Sequence, residues 1–395
     1  MIARTMGTVP VTALGLPVAD GLSVVPDFEQ LASTDPDWGE LTEAYAQTPL
    51  LLSGLMRAYS RPEGAGQHLF AITMRKGGRL VGLATFRTKE QYVVSRPRLM
   101  KYRTVEFSLP DVVTPDFVVR PDHRRQFVEG ALSTLFDDIG CQTALLTLPS
   151  GSPNVAVLKS WCRKRRMGIW SSITSSHAVV NVKGPWSSYQ ATLSHEFIRT
   201  TMKSKRRLER EGRLTLQRGV VDNQTVVEEM LEVDRHSWKE DWRRDVGKER
   251  DDDILETFLD CYKFSPGAKH IPKFWLMKLD GTPIAFSTST IIGRVAYLMK
   301  TSYDLRYSRF SPGTVLLLRM FQDLFESGEV SSMDFFTMQD YQRSWKPEVF
   351  TREAFLIDGR HGAIGTLAKV ARSRYGRVVM KKLRTRHQSQ GIQDE

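Results

Sequence analysis

Apolar and polar positions alternate along this chain in short runs, and the period switches repeatedly between two and about 3.6 residues. Leu69–Met74 and Leu80–Phe86 are strand-like runs separated by Arg75-Lys76-Gly77-Gly78-Arg79. Two glycines between such runs predict a hairpin, because glycine supplies the positive φ that the turn needs. About 200 residues later the unit returns: Phe274–Leu279 and Ile284–Thr290 flank Asp280-Gly281. In each unit the second strand opens with a small residue, Gly82 or Ala285. Two such hairpins, each with helices before it and further strands and helices after it, suggest an internal duplication.

Between the hairpins the pattern predicts a strand at Val112–Val119, a helix from about Arg124 to Ile139 and a strand at Thr143–Leu148. A helix over Val155–Arg166 and a strand over Ser176–Val182 follow. Ahead of the first hairpin, helical signals begin near Trp38 and again at LLSGLMRAYS. In the second half we expect a basic helix from Ser194 to Glu211, a strand at Leu214–Val220 and helices over Asn223–Trp242 and Ile254–Lys263. Val295–Ser302, Thr314–Glu326, Met333–Met338 and Glu353–Ile357 then read as strand, helix, strand, strand. Alternating strands and helices are the mark of an α/β chain. The expected organisation is an irregular segment over 1–35, one unit over 36–183, a second over 184–365 and a basic tail over 366–395. The break falls at Lys183-Gly184-Pro185.

Length fits this division, since 395 residues exceed what one core usually serves. A hydrophobic share of 41% and a charged share of 26% are ordinary for a globular protein and argue against disorder. Cys141, Cys162 and Cys261 lie far apart without a CxxC pair. That pattern points to a reducing compartment and gives no zinc site, and the scattered histidines form no metal motif. We therefore expect no metal cofactor. No stretch reaches about 18 uninterrupted apolar residues, so a cytoplasmic chain without a transmembrane segment is expected.

The net charge is +11. It is concentrated in the tail from Lys369 to Arg386 and in a run carrying Lys203, Arg206, Arg207 and Arg210. Such patches suit an anionic partner: a cofactor phosphate, RNA or an acidic surface. The plainer reading is a solvated helix face and a frayed tail.

Chemistry concentrates in SYDLRYSRFSPGTVLLL, where a strand ends and Ser311-Pro312-Gly313-Thr314 leads directly into an apolar helix. A helix start offers free backbone N–H groups and the positive end of the helix dipole, which together hold anions such as a diphosphate. Gly313 lets a ligand approach closely, and Arg306 and Arg309 add charge. Taken by itself, Pro-Gly at a helix start is often only a turn.

This segment resembles the acyl-CoA diphosphate turn of the GNAT superfamily, and more narrowly a subfamily associated with cellulose and exopolysaccharide biosynthesis. Upstream, LSHEFIRTTMKSKRRLEREGRLTLQRGV and Asp234-Arg235-His236-Ser237-Trp238 resemble blocks of the same subfamily. Downstream, Asp334, Phe335, Tyr341 and Trp345 resemble its closing motif. The blocks keep their order over residues 190–350. Two departures stand out: the turn Arg309-Phe310-Ser311-Pro312-Gly313-Thr314 keeps a single glycine in altered register, and Gln342 stands where relatives often have lysine. Arg343 and Lys346 are the basic residues nearest to it.

The resemblance implies tandem GNAT-like domains, each a mostly antiparallel mixed sheet flanked by helices, in an α/β (α+β) fold. It implies acyl transfer from acetyl-CoA or another acyl-CoA to an amine, such as an amino sugar or another glycan precursor. Such an enzyme must bind the diphosphate, polarise the thioester carbonyl and remove a proton from the incoming ammonium. The catalytic candidates are Asp304 and Tyr341, with Asp340, Glu240 and His236 behind them. The donor site would use Arg306, Arg309, Ser311, Gly313 and Thr314. The acceptor or anion site would use Lys203, Arg206, Arg207, Arg210, Trp238 and Trp345. Trp238, Trp345 and Phe336 also read as core residues, and Asp304 as a turn residue. Two other readings stand beside this one. Fem-type peptidyltransferases, which take aminoacyl-tRNA, share the two-half plan, and a non-catalytic scaffold would tolerate the degenerate turn.

Overall fold

The structure is a computed structural model, and it describes residues 20–26, 35–45, 68–94, 99–109, 115–221, 224–237 and 271–359. The helices expected over LLSGLMRAYS and Ile254–Lys263, the basic tail, and the side chains of Trp238 and Glu240 lie outside the described residues.

The two predicted hairpins form as β2 (His68–Lys76) with β3 (Arg79–Val94), and β9 (Ile271–Leu279) with β10 (Thr282–Ile292). Their turns place Gly77 and Gly78 at φ 57° and 77°, and Asp280 and Gly281 at 49° and 85°. Positive φ at both central positions matches the right-handed twist of the flanking strands. Each hairpin is extended by a preceding antiparallel strand: β1 (Gly21–Val25) lies on β2, and β8 (Leu214–Val220) lies on β9. The first of these corrects the expectation of an irregular segment over residues 1–35.

After the hairpins the two halves repeat one another. β4 (Leu99–Phe107) runs antiparallel to β3 and parallel to β6 (Thr143–Pro149). β11 (Val295–Tyr303) runs antiparallel to β10 and parallel to β12 (Ser332–Asp334). Each half ends in a long strand, β7 (Gly168–Asn181) or β13 (Glu348–Asp358). These last strands pair with each other, and each also joins the other half: β13 lies on β6, and β7 on β12. The result is one sheet in the order β1-β2-β3-β4-β6-β13-β7-β12-β11-β10-β9-β8, with the two-residue β5 (Val118–Val119) on β3. Of the strand expected over Val112–Val119, the described residues keep Val118–Val119, and the one expected over Met333–Met338 is shorter, ending at Asp334. In the latter the Asp334 carboxylate takes the Phe336 N–H at 2.7 Å and Phe336 turns to φ 59°, which ends the ladder.

The helices are α1 (Pro36–Tyr45), α2 (Arg124–Ser133), α3 (Pro153–Arg165), α4 (Trp186–Thr192), α5 (His195–Glu211), α6 (Gln224–Arg235), α7 (Pro312–Ser327) and the short α8 (Asp340–Arg343). Their ends follow local chemistry. Ser194 caps α5 by accepting the Phe197 N–H at 3.1 Å, and Ser152 caps α3 ahead of Pro153. α7 opens at Pro312 and stops at Gly328, whose φ of 61° suits the left-handed C-terminal position. α7 packs its apolar stripe (Val315, Leu318, Phe321, Phe325) on one face of the second half of the sheet. α1 and α6 share a cluster containing Trp38, Leu41, Met230 and Phe286. α2 and α3 cover the first half.

Candidate active site

β11 and β12 pair only over Val295–Tyr297 and Ser332–Asp334. β11 then continues through Tyr303, and among the described residues no strand lies on its β12 side beyond Tyr297. The two strands form a fork with its apex at Tyr297 and Asp334. Among the described residues no strand pairs with the β11 edge inside the fork, a surface that an extended, amide-bearing ligand can line as an added strand would. Next to the apex the β10–β11 register slips at Met299, a bulge that re-aims the strand.

The open end of the fork leads to the predicted anion turn. The 3-10 turn Leu305–Phe310 follows β11, and Ser311 adopts φ 49° and ψ 52° between that turn and α7. Thr314 and Val315 both donate to the Ser311 carbonyl, and Pro312 has no N–H. The Gly313 N–H has no acceptor among the described residues, so it is left for a ligand. A Cβ on Gly313 would meet the Tyr303 ring at 3.2 Å, so backbone and strand are in close approach there.

The five predicted donor-site residues therefore lie on one turn. Arg306 and Arg309 are exposed there. Arg309 stacks on Phe310, 4.5 Å from the ring centroid, and faces Glu211 at 3.6 Å. That contact brings the C-terminal end of α5 to the turn. Lys203, Arg206, Arg207 and Arg210 lie on the solvent face of α5, while Thr201, Ser204 and Leu208 face inward.

Asp304 is buried, caps the 3-10 turn through the Arg306 N–H at 2.9 Å, and holds the Arg306 guanidinium with both oxygens. Neither oxygen is free for a reacting proton. Tyr341 is half exposed, and its hydroxyl accepts from the Gln342 amide at 3.2 Å. Protein packed around that hydroxyl raises its pKa above the ordinary phenol value. Gln342 itself is buried and ties the Thr337–Gln342 turn together, which accounts for an amide where lysine was expected. Trp345 is a core residue, stacked on Phe321 at 4.7 Å and edge-on to Phe197, and offers no platform to a substrate. Asp340 is fully exposed beside Arg343, and His236 is exposed with Nδ1 3.0 Å from the Glu232 carbonyl.

Sequence reasoning missed a buried polar group at the apex. Asp334 faces His177 of β7 at 3.5 Å (Oδ2 to Nε2) and lies in register with Tyr297. Burial raises the Asp334 carboxyl to about 6. Burial and the Arg352 charge depress His177 to about 4, so at neutral pH the two face each other as carboxylate and neutral imidazole, not as an ion pair. Arg352 is buried too, donating to the Phe336 carbonyl at 2.6 Å and to Ser175 Oγ at 3.2 Å. The signal available in the sequence was the Asp-Phe block; nothing there linked it to a histidine 157 positions earlier.

A cleft of about 480 Å³ lined by Arg218, Lys273, Trp275, Asp323 and Glu326 lies elsewhere, at the C-terminal half of α7. Asp323 pairs with Arg218 at 2.5 Å and accepts from the Trp275 indole at 3.0 Å. At about 1.5 Å of rise per residue it is some 16 Å from the Gly313 turn. Among the described residues no group of His, Cys, Asp or Glu side chains is arranged to hold a metal, and no helix is long and apolar enough to cross a membrane.

Residues 196–347 match the acetyltransferase (GNAT) domain family. No curated protein matches the chain. Among solved structures, the C-terminal domain of a protein described as a lysylphosphatidylglycerol synthetase from Agrobacterium fabrum is similar at 12% identity. The match covers 88% of this chain and 98% of that one, with a TM-score of 0.53. L-PGS from Bacillus licheniformis (13%; 86% and 96%; 0.51) and FemX (11%; 84% and 96%; 0.51) are similar to the same extent. At such identities the likeness is one of fold. The fork and its turn thus lie within an acyltransferase domain of GNAT type.

Proposed function

We propose that the chain transfers an acyl group from acyl-CoA, acetyl-CoA in the simplest case, to the amine of a small acceptor such as an amino sugar of a glycan precursor. The observation that carries this is the fork between β11 and β12, where among the described residues no strand covers the β11 edge that leads to the Gly313 N–H. The diphosphate sits at the start of α7, held by the Gly313 N–H, the Ser311 and Thr314 hydroxyls and the guanidinium groups of Arg306 and Arg309. Asp304 acts as the anchor of Arg306. The thioester arm follows the free edge of β11 toward the apex, which fixes the carbonyl before attack. The amine forms the C–N bond, the C–S bond breaks, and the thiol leaves. Support for the amino-sugar acceptor is the resemblance to polysaccharide-associated relatives in the Leu-Ser, Arg-Arg-Leu-Glu and Asp-Phe blocks.

Thermal unfolding with CoA, acetyl-CoA and a longer acyl-CoA tests the donor. Stabilisation by at least one of them, absent in Gly313→Glu, is the expected result; no stabilisation contradicts the reading.

A second donor, aminoacyl-tRNA, is favoured by one observation: the four solvent-facing cations of α5 beside the turn. It predicts salt-sensitive RNA binding that is lost on Arg206→Glu with Arg207→Glu.

A further inference from the structure

The apex of the fork carries more polar machinery than a sheet junction requires. Ala178, Val180, Ala296, Leu298 and Met333 pack with α7 in one core. By strand alternation their neighbours Tyr297, Asp334 and His177 project from the opposite face, away from α7. The donor turn sits at the end of β11, six residues from Tyr297, or about 20 Å along the strand. An arm lying in the fork thus brings its reactive end toward Asp334. On the far side, His177 stacks on Phe350 with ring centroids 5.6 Å apart, and Phe350 is 46% exposed. The apex thus lies between the fork, which leads from the donor turn, and the exposed Phe350.

The residues meet here because the halves exchange their last strands. His177 comes from β7, Asp334 from β12, Tyr297 from β11 and Arg352 from β13. The His177 Nδ1 atom is buried and has no hydrogen-bond partner among the described residues. Among the described residues, the charged or titratable groups facing Asp334 are His177, Tyr297 and Arg352. Arg352 holds the Phe336 carbonyl, which keeps the bend after Asp334 in place. A carboxylate kept in such a setting, beside a neutral imidazole, is suited to accept a proton near neutral pH.

Resting on the acyl-transfer reading, we propose that Asp334 takes the proton from the attacking ammonium, with His177 positioning and tuning it. The ammonium gives one proton to the Asp334 carboxylate, and its lone pair forms the C–N bond at the thioester carbonyl carbon. The C–S bond breaks with its electron pair leaving on sulfur. The second proton of the attacking nitrogen neutralises the thiolate, and Asp334 returns its own to solvent past Phe350. The acceptor side of the site is thus built jointly by both halves.

The test measures thiol release from acetyl-CoA with two amines: glucosamine, an ammonium at neutral pH, and hydroxylamine, which is already unprotonated there. In Asp334→Asn, transfer to glucosamine should fall by about 10²- to 10⁴-fold, the usual worth of a general base. The hydroxylamine reaction should stay within a few-fold of wild type. His177→Gln should retain transfer but shift the acidic limb of the pH–rate profile, a readout that a merely structural role would not move. Asp334→Asn should unfold no earlier than wild type at neutral pH. Equal loss with both amines, loss with neither, or an earlier-melting Asp334→Asn would overturn the proposal. So would a wild-type protein that binds CoA yet releases thiol with neither amine. Failure of every CoA thioester to stabilise the wild type would instead remove the fork reading beneath it.

Discussion

The two halves share a strand topology and differ at the strand edge beside the parallel pair. In the second half β11 passes the edge with a single-residue slip at Met299, and among the described residues no strand lies on its β12 side beyond Tyr297. In the first half the corresponding strand is interrupted. Ser108 donates its N–H to the Thr85 carbonyl, and among the described residues the chain next pairs with β3 at β5. The returning chain buries Asp116 and Phe117. Asn154 of α3 donates to the Asp116 carboxylate at 2.8 Å and to the Phe117 carbonyl at 3.1 Å. Phe117 closes against Phe86, Phe107 and Phe127. Beside the strand edge that has no paired strand in the second half, the first half places packed side chains. Duplication supplies the frame, and a few residues at one strand edge decide whether a half can hold a ligand.

Both halves bury an acid raised to about 6, and only one has a histidine opposite it. This yields the largest expected effects. Asp334, raised from 3.8, contributes stability that is full below about pH 4 and lost as pH rises through about 6. His177, lowered from 6.5, contributes stability that is full above about pH 6.5 and lost as pH falls through about 4. Each shift corresponds to about 3 kcal/mol, with opposite sign, and the two largely cancel in the wild type. His177→Gln should therefore leave a protein that gains stability toward acid, and Asp334→Asn one that loses it. Denaturant unfolding between about pH 4 and 7 reads both; parallel profiles for the two variants would break the comparison.

Asn154→Ala removes the donor that holds the first-half plug and should cost about 2–3 kcal/mol without changing CoA affinity. Gly82→Ala and Gly313→Ala sharpen the contrast. A Cβ at Gly82 would sit 2.5 Å from the buried Phe127 ring, against 3.2 Å from Tyr303 at Gly313. The first should cost about 1–3 kcal/mol and the second less than about 1 kcal/mol in chemical denaturation. Arg206→Glu with Arg207→Glu changes solvent-facing charge, so stability should stay within about 0.5 kcal/mol; a larger loss would mean that the helix face is covered.

Periodicity and turn chemistry made much of this frame readable. Gly77-Gly78 and Asp280-Gly281 marked both hairpins, Ser194 marked the start of α5, and Ser311-Pro312-Gly313-Thr314 marked the start of α7. The strand swap was not readable, because pairing between β13 and β6 joins residues some 200 positions apart and leaves no local trace. For the same reason His177 could not be connected to Asp334. Asp304 was legible as a residue at the end of a strand, but not as a carboxylate wholly occupied by Arg306. Trp345 read mainly as a core residue and also as a binding candidate, and Phe197 and Phe321 close around it as core.

The most direct test of the account is CoA-dependent thermal unfolding of three proteins: wild type, Gly313→Glu, and His123→Glu, which places the same charge at the start of the first-half helix. At a hundredfold excess over Kd, binding to the folded state is worth about 2.7 kcal/mol. We expect wild type and His123→Glu to shift alike and Gly313→Glu not to shift. A shift that survives in Gly313→Glu, or that His123→Glu abolishes, would contradict the assignment of the donor to the second-half fork.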